Sequence, residues 1–128
     1  MKLRSYRIRR NRRSLKTLDP ARYLPTPAHV LAVTASYGDD FAIFTFDEPL
    51  AIEADASFDM FYLSEAFSVL TGTAGVLLDP YRLKITFDAA IVDTGAEWSW
   101  TINPGPEVEK IHTVEGEDVE AGNGVVTF

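Results

Sequence analysis

Two stretches of this chain alternate apolar and polar residues with a period of two, and that period constrains the fold more than any other feature. From Tyr81 to Asp88, Tyr81, Leu83, Ile85 and Phe87 take one side, while Arg82, Lys84, Thr86 and Asp88 take the other. From Ala96 to Asn103, Ala96, Trp98, Trp100 and Ile102 oppose Glu97, Ser99, Thr101 and Asn103. Such alternation belongs to strands with one face on a core, because a helix would place its apolar residues at a spacing of about 3.6.

The same reading extends along the chain from His29. Leu31, Val33 and Ala35 form one side of an early strand. Phe41 to Phe46 is apolar on both faces, with Phe41 and Ile43 opposing Ala42, Phe44 and Phe46, which suits a central or covered strand. Weaker strand signals fall at 58–63, 67–70, 74–78, 109–114 and 124–128, and Ala51 to Glu65 leaves room for a short helical turn. Turn chemistry separates the runs. Gly38 suits a tight link between the first two strands, and Asp79-Pro80 places Asp and Pro at the first two positions of a type I turn. Thr94-Gly95 precedes the tryptophan strand. Gly72-Thr-Ala-Gly75 and Gly122-Asn-Gly124 also read as turns; neither has the Lys-Ser/Thr and helix of a phosphate loop. Together these signals predict an all-β fold, an antiparallel β-sandwich of about 7–9 strands.

Three segments carry a resemblance to a known family: Phe44-Thr-Phe46-Asp47-Glu48-Pro49-Leu50, Leu83-Lys-Ile85-Thr-Phe87 and Ile91-Val-Asp93-Thr-Gly95. On them, residues 29–128 resemble small bacterial immunoglobulin-like domains, without the Cys…Trp…Cys signature of antibody-type domains. The resemblance implies an Ig-like sandwich and no functional residue. The whole-chain plan, one β-domain behind a charged arm, also resembles small virion proteins of tailed bacteriophages.

Charge divides the chain. Residues 1–28 hold nine of the twelve Lys and Arg against one acid, Asp19, a net +8. Residues 29–128 hold three bases (Arg82, Lys84 and Lys110) and eighteen acids, a net −15. The first segment reads as an extended basic arm. Leu3, Tyr6, Ile8, Leu15 and Leu18 form no continuous stripe there, and dense like charge opposes folding, leaving at most a nascent helix over 3–17. Pro25-Thr-Pro27 links the arm stiffly to a domain over 29–128. No apolar segment follows the basic residues, so no secretory signal is expected, although the Arg-rich, acid-poor start loosely fits a mitochondrial presequence. The chain lacks an 18-residue apolar run, so no membrane partner is expected.

Catalytic and metal-binding patterns are weak. The chain has no Cys, which removes disulfides, thiol catalysis and Cys-ligated zinc. His29 and His112 stand far apart in sequence, and no Gly-x-Ser-x-Gly elbow occurs. Asp39-Asp40, Asp47-Glu48, Glu107 with Glu109, and the acids from Glu115 to Glu120 read as solvated turns. Calcium at 115–123 is the strongest of the metal readings, though its spacing is not that of an EF-hand. Trp98 and Trp100 share a strand face and read as core ahead of a sugar-stacking platform. No catalytic residue, metal ligand or cofactor is assigned, and an enzyme is not expected.

The partner-binding candidates are therefore the arm residues Lys2, Arg4, Tyr6, Arg7, Arg9, Arg10, Arg12, Arg13 and Lys16. Arginine suits bidentate contacts to phosphate or carboxylate. The leading expectation is a non-enzymatic structural virion protein of a bacteriophage, decorating or cementing the capsid. It would occupy the host cytoplasm before assembly and the virion after it, with room for a homo-oligomer within the particle. Its arm would dock on the major capsid protein or other virion proteins, or on packaged DNA. One alternative is a secreted or cell-surface Ig-like binding module for carbohydrate or calcium. Another is a small nucleic-acid-binding protein acting through the arm, with salt-sensitive contacts to the backbone.

Overall fold

The computed structural model describes residues 26–104 and 110–128. The arm residues assigned to partner binding, and Glu107 and Glu109, lie outside the described residues.

Nine strands form: β1 (Val30–Ala35), β2 (Phe41–Phe46), β3 (Leu50–Ile52), β4 (Phe61–Glu65), β5 (Ser68–Asp79), β6 (Arg82–Phe87), β7 (Ser99–Ile102), β8 (Ile111–Thr113) and β9 (Gly122–Val125). No α-helix occurs among the described residues. Seven strands pair in the order β1-β2-β6-β5-β4-β7-β9, and β3 pairs with β8 beside them. All these pairings are antiparallel. The all-β antiparallel sandwich expected from the alternation is the observed fold.

β5 joins the two layers. Its first four residues pair with β4, and from Gly72 to Asp79 it pairs with β6, with a register shift between Gly72 and Ala74. Beyond β9 the chain returns to β1 in parallel: Ala35 N–H donates to the Thr127 carbonyl at 3.0 Å, and Thr127 N–H donates to the Val33 carbonyl at 2.8 Å. The sheet is thereby closed on itself along this side, which removes an open edge.

The core follows the predicted faces. Leu83, Ile85 and Phe87 are buried, as are Trp98, Trp100 and Ile102. Ala42, Phe44 and Phe46 face inward from β2, and Phe44 meets Phe61 and Trp100 edge-on at centroid distances of 5.2 and 6.2 Å. Each such large side chain contributes about 1.5–3 kcal/mol by leaving water. β2 lies between β1 and β6, as its two apolar faces suggested. Its outward residue Phe41 is half-buried under the Lys84 ammonium, 4.3 Å from the ring centre.

Four local expectations are corrected. Leu31 is 67% exposed, because a register shift between Val30 and Ala32 turns it away from Val33. Tyr81 is exposed in the β5–β6 turn, where Asp79 Oδ1 accepts the N–H groups of Tyr81 and Arg82. Gly72-Thr-Ala-Gly75 is the middle of β5 and makes one strand of two segments that looked separate in the sequence. Gly122-Asn-Gly124 is strand β9. The last two share one cause. A Cβ on Gly72 would collide with the Phe58 carbonyl oxygen, one on Gly75 would lie 2.5 Å from the Phe58 ring, and one on Gly124 2.7 Å from the Trp100 indole. These glycines make room for groups that approach from distant parts of the chain.

Candidate functional site

Trp98 and Trp100 are core residues, 1% and 9% exposed, so they offer no stacking platform to a sugar. The Trp98 indole N–H is buried with no hydrogen-bond acceptor among the described residues.

The two histidines each meet a carboxylate on the surface. His29 Nδ1 lies 3.4 Å from Asp47 Oδ2, while its backbone N–H donates to Asp47 Oδ1 at 2.7 Å. His112 Nε2 lies 3.6 Å from Glu53 Oε2. Its Nδ1 donates to the Thr113 carbonyl at 2.8 Å, which fixes the proton on that nitrogen. Among the described residues no group of three or more His, Asp or Glu gathers as a cation site. In the 115–123 loop the organising group is the buried Thr113, whose hydroxyl accepts the N–H of Glu115 and of Glu117; Gly116 turns the chain with φ of 92°.

The strand directions sort the remaining acids into two ends. At one end the chain enters the sandwich. Ala28 is fully buried there, its N–H donating to the Asp118 carbonyl and its carbonyl accepting from Glu120. Asp47, Glu48, Glu115 and Glu117 lie in the connections at this end. Asp79 binds Arg82 (2.6 Å) at the same end, and the guanidinium holds the Asp79 carboxyl below its ordinary pKa. Asp55 binds Lys110 (2.9 Å), which lowers the Asp55 pKa in the same way.

The opposite end is built from the β1–β2 loop, the β4–β5 turn and the long β6–β7 connection. Backbone bonds join them: Gly38 N–H donates to the Ile91 carbonyl at 2.7 Å, and Ile91 N–H donates to the Asp39 carbonyl at 2.7 Å. The Thr94 hydroxyl donates to Glu65 Oε2 at 3.0 Å. Asp39, Asp40, Glu65, Asp88, Asp93 and Glu97 lie in or beside these segments; no Lys or Arg lies within them, and Lys84 reaches the Phe41 ring next to Asp40 from β6. Phe67 stands out from the β4–β5 turn with 94% of its surface exposed. Its N–H donates to Glu65 Oε1 at 2.7 Å, the main cause of a lowered Glu65 pKa. Glu65 therefore ties the turn both to itself and to the neighbouring loop. This cluster is not legible in the sequence, where a Phe beside Ala and Ser is its one local sign.

No known protein family and no curated protein matches the sequence. Solved structures of a bacterial S-layer protein, SbsC, do match the fold. The N-terminal part of SbsC superposes with a TM-score of 0.62 at 17% identity, over 80% of this chain and 24% of that one. Two further SbsC structures, rSbsC(31-844) and domains 1–6, each give 0.61 at 17% identity, over 80% of this chain and 14% of theirs. The chain thus spans about a quarter or less of each SbsC structure, and the likeness is one of fold.

These matches correct the virion expectation. These three solved folds come from a surface-layer protein and not from a virion, whereas the phage reading rests on a general plan of arm and domain. Capsid decoration, and a location in the virion, are withdrawn with it.

Proposed function

We propose that this chain is a non-enzymatic structural β-sandwich module of a bacterial cell-surface protein layer. The observation that carries this reading is the fold match to SbsC over 80% of the chain. It favours the cell-surface alternative of the sequence analysis, in a structural form and without its sugar or calcium ligand. The distribution of residues supports a scaffold. Trp98, Trp100, Phe44, Phe46, Phe61 and Phe87 fill the interior, and most of the acids lie in the connections between strands. A module of this kind acts by presenting a fixed surface, so its working groups are exposed and its buried groups hold shape.

Labelling intact cells of the native host with a membrane-impermeant amine reagent tests the reading. Labelled Lys84 or Lys110 is expected in peptides recovered from unbroken cells. Labelling only after lysis would overturn the assignment.

A further inference from the structure

The end that carries Phe67 has an unusual combination of surface groups. A single exposed apolar residue is ordinary. Here, however, the most exposed large apolar side chain of the described residues stands on a turn whose backbone N–H is held by Glu65, at an end whose connections carry acids and no Lys or Arg. Val92 is 52% exposed on the adjoining connection, and Tyr37 stacks on Phe128 (4.1 Å, 7° between planes) across the same end. The surface thus offers apolar anchoring points within a field of carboxylates. A complementary occupant is a basic segment with interspersed apolar residues.

Residues 1–25 of this same chain have that composition: nine Lys and Arg, one acid, and Leu3, Tyr6, Ile8 and Leu15 between the charges. We propose that the Phe67 end of one copy docks residues 1–25 of a second copy, joining copies head to tail. β1 runs from the end where Ala28 is anchored towards the Phe67 end, so residues 1–25 join the sandwich at the end remote from their own Phe67. The two ends are separated by roughly 20 Å, the length of a six-residue strand. Twenty-five residues can span up to roughly 80 Å, which reaches an adjacent copy and also their own Phe67 end, and a protein that stays monomeric in low salt is the signature of the second. Arginine forks pair with Asp40, Asp93 and Glu97, and an apolar arm residue covers Phe67. The contact joins unlike surfaces and leaves one of each free at the ends of a chain of copies. It therefore generates an open array instead of a closed dimer. This inference goes beyond the cell-surface reading and stands without it, since it rests on charge, exposure and chain direction.

Sedimentation of the full-length protein over a range of concentrations tests it. At low salt the mean mass is expected to rise with concentration. At about 1 M salt, where the Debye length is about 3 Å, it should fall back to the monomer. Phe67→Ser and the pair Asp40→Lys, Glu97→Lys change side chains at the surface of this end, and each should weaken association by about tenfold or more. Reversing Arg9, Arg10, Arg12 and Arg13 to Glu should also weaken it, and mixing that variant with the Asp40→Lys, Glu97→Lys variant should restore mixed association. A monomer at every concentration in low salt would overturn the proposal. So would association that is indifferent to Phe67→Ser and to the end-charge reversal.

Discussion

Gly124 stands directly opposite Trp100 in the β7–β9 ladder, and a Cβ on Gly124 would sit 2.7 Å from the indole Nε1. The last strand is kept bare there so that the tryptophan can lie over it. Gly122, two residues earlier, is less constrained, since its Cβ would meet Trp100 at an ordinary 3.5 Å. Gly124→Ala should therefore cost about 1–3 kcal/mol through overpacking. Gly122→Ala should be close to neutral. Urea unfolding of the two variants distinguishes them, and an equal cost would contradict this account of β9.

Phe58 imposes the same requirement on β5 in two ways. At Gly72 the obstacle to a methyl group is the Phe58 carbonyl oxygen, and at Gly75 it is the Phe58 ring, at 2.5 Å. Backbone yields less readily than a side chain. Gly72→Ala is expected to destabilise more than Gly75→Ala, and Phe58→Ala should relieve much of the Gly75→Ala penalty. A double-mutant cycle should show coupling of about 0.5 kcal/mol or more for the second pair.

Trp98 combines deep burial with an indole N–H that has no acceptor among the described residues. Trp98→Phe removes the costly N–H and keeps an aromatic in the core, so it should lose less than about 1.5 kcal/mol. Trp98→Ala leaves a large cavity and should lose about 3–5 kcal/mol. Thermal unfolding of both variants measures the difference.

Asp79 links stability to acid. Its native pKa lies below the ordinary value because Arg82 and two backbone N–H groups bind the charged form. A lowered native pKa means that the unfolded state takes up the proton first. The contribution is complete above the unfolded value, about pH 3.9, and is lost as the pH falls through the native value. The melting temperature of Asp79→Asn should approach that of the wild type as the pH drops below about 4. A constant difference across that range would exclude the carboxylate as the source.

Much of the sandwich is legible in the sequence because strand faces obey a local rule. The neighbours of Leu83, Ile85, Trp98 and Trp100 are enough to place them inside, and Gly38, Asp79 and Gly95 mark turns for local reasons. Gly72, Gly75 and Gly124 look like turn residues because the groups that require them, on Phe58 and Trp100, reach them only after folding. Leu31 escapes the alternation because a bulge breaks the period. The acidic end is dispersed over three connections in the sequence, and only the strand directions bring Asp39, Glu65 and Asp93 to one place. The basic arm is plain as composition, since charge needs no fold to be counted.

We propose that this sandwich works at the outside of a bacterial cell. Immunogold electron microscopy of unbroken native cells, with antibody raised against the folded protein, tests it most directly. Dense label along the outer boundary of the cell is the expected result. Label confined to the cytoplasm of sectioned cells, with none on their outer surface, would contradict it.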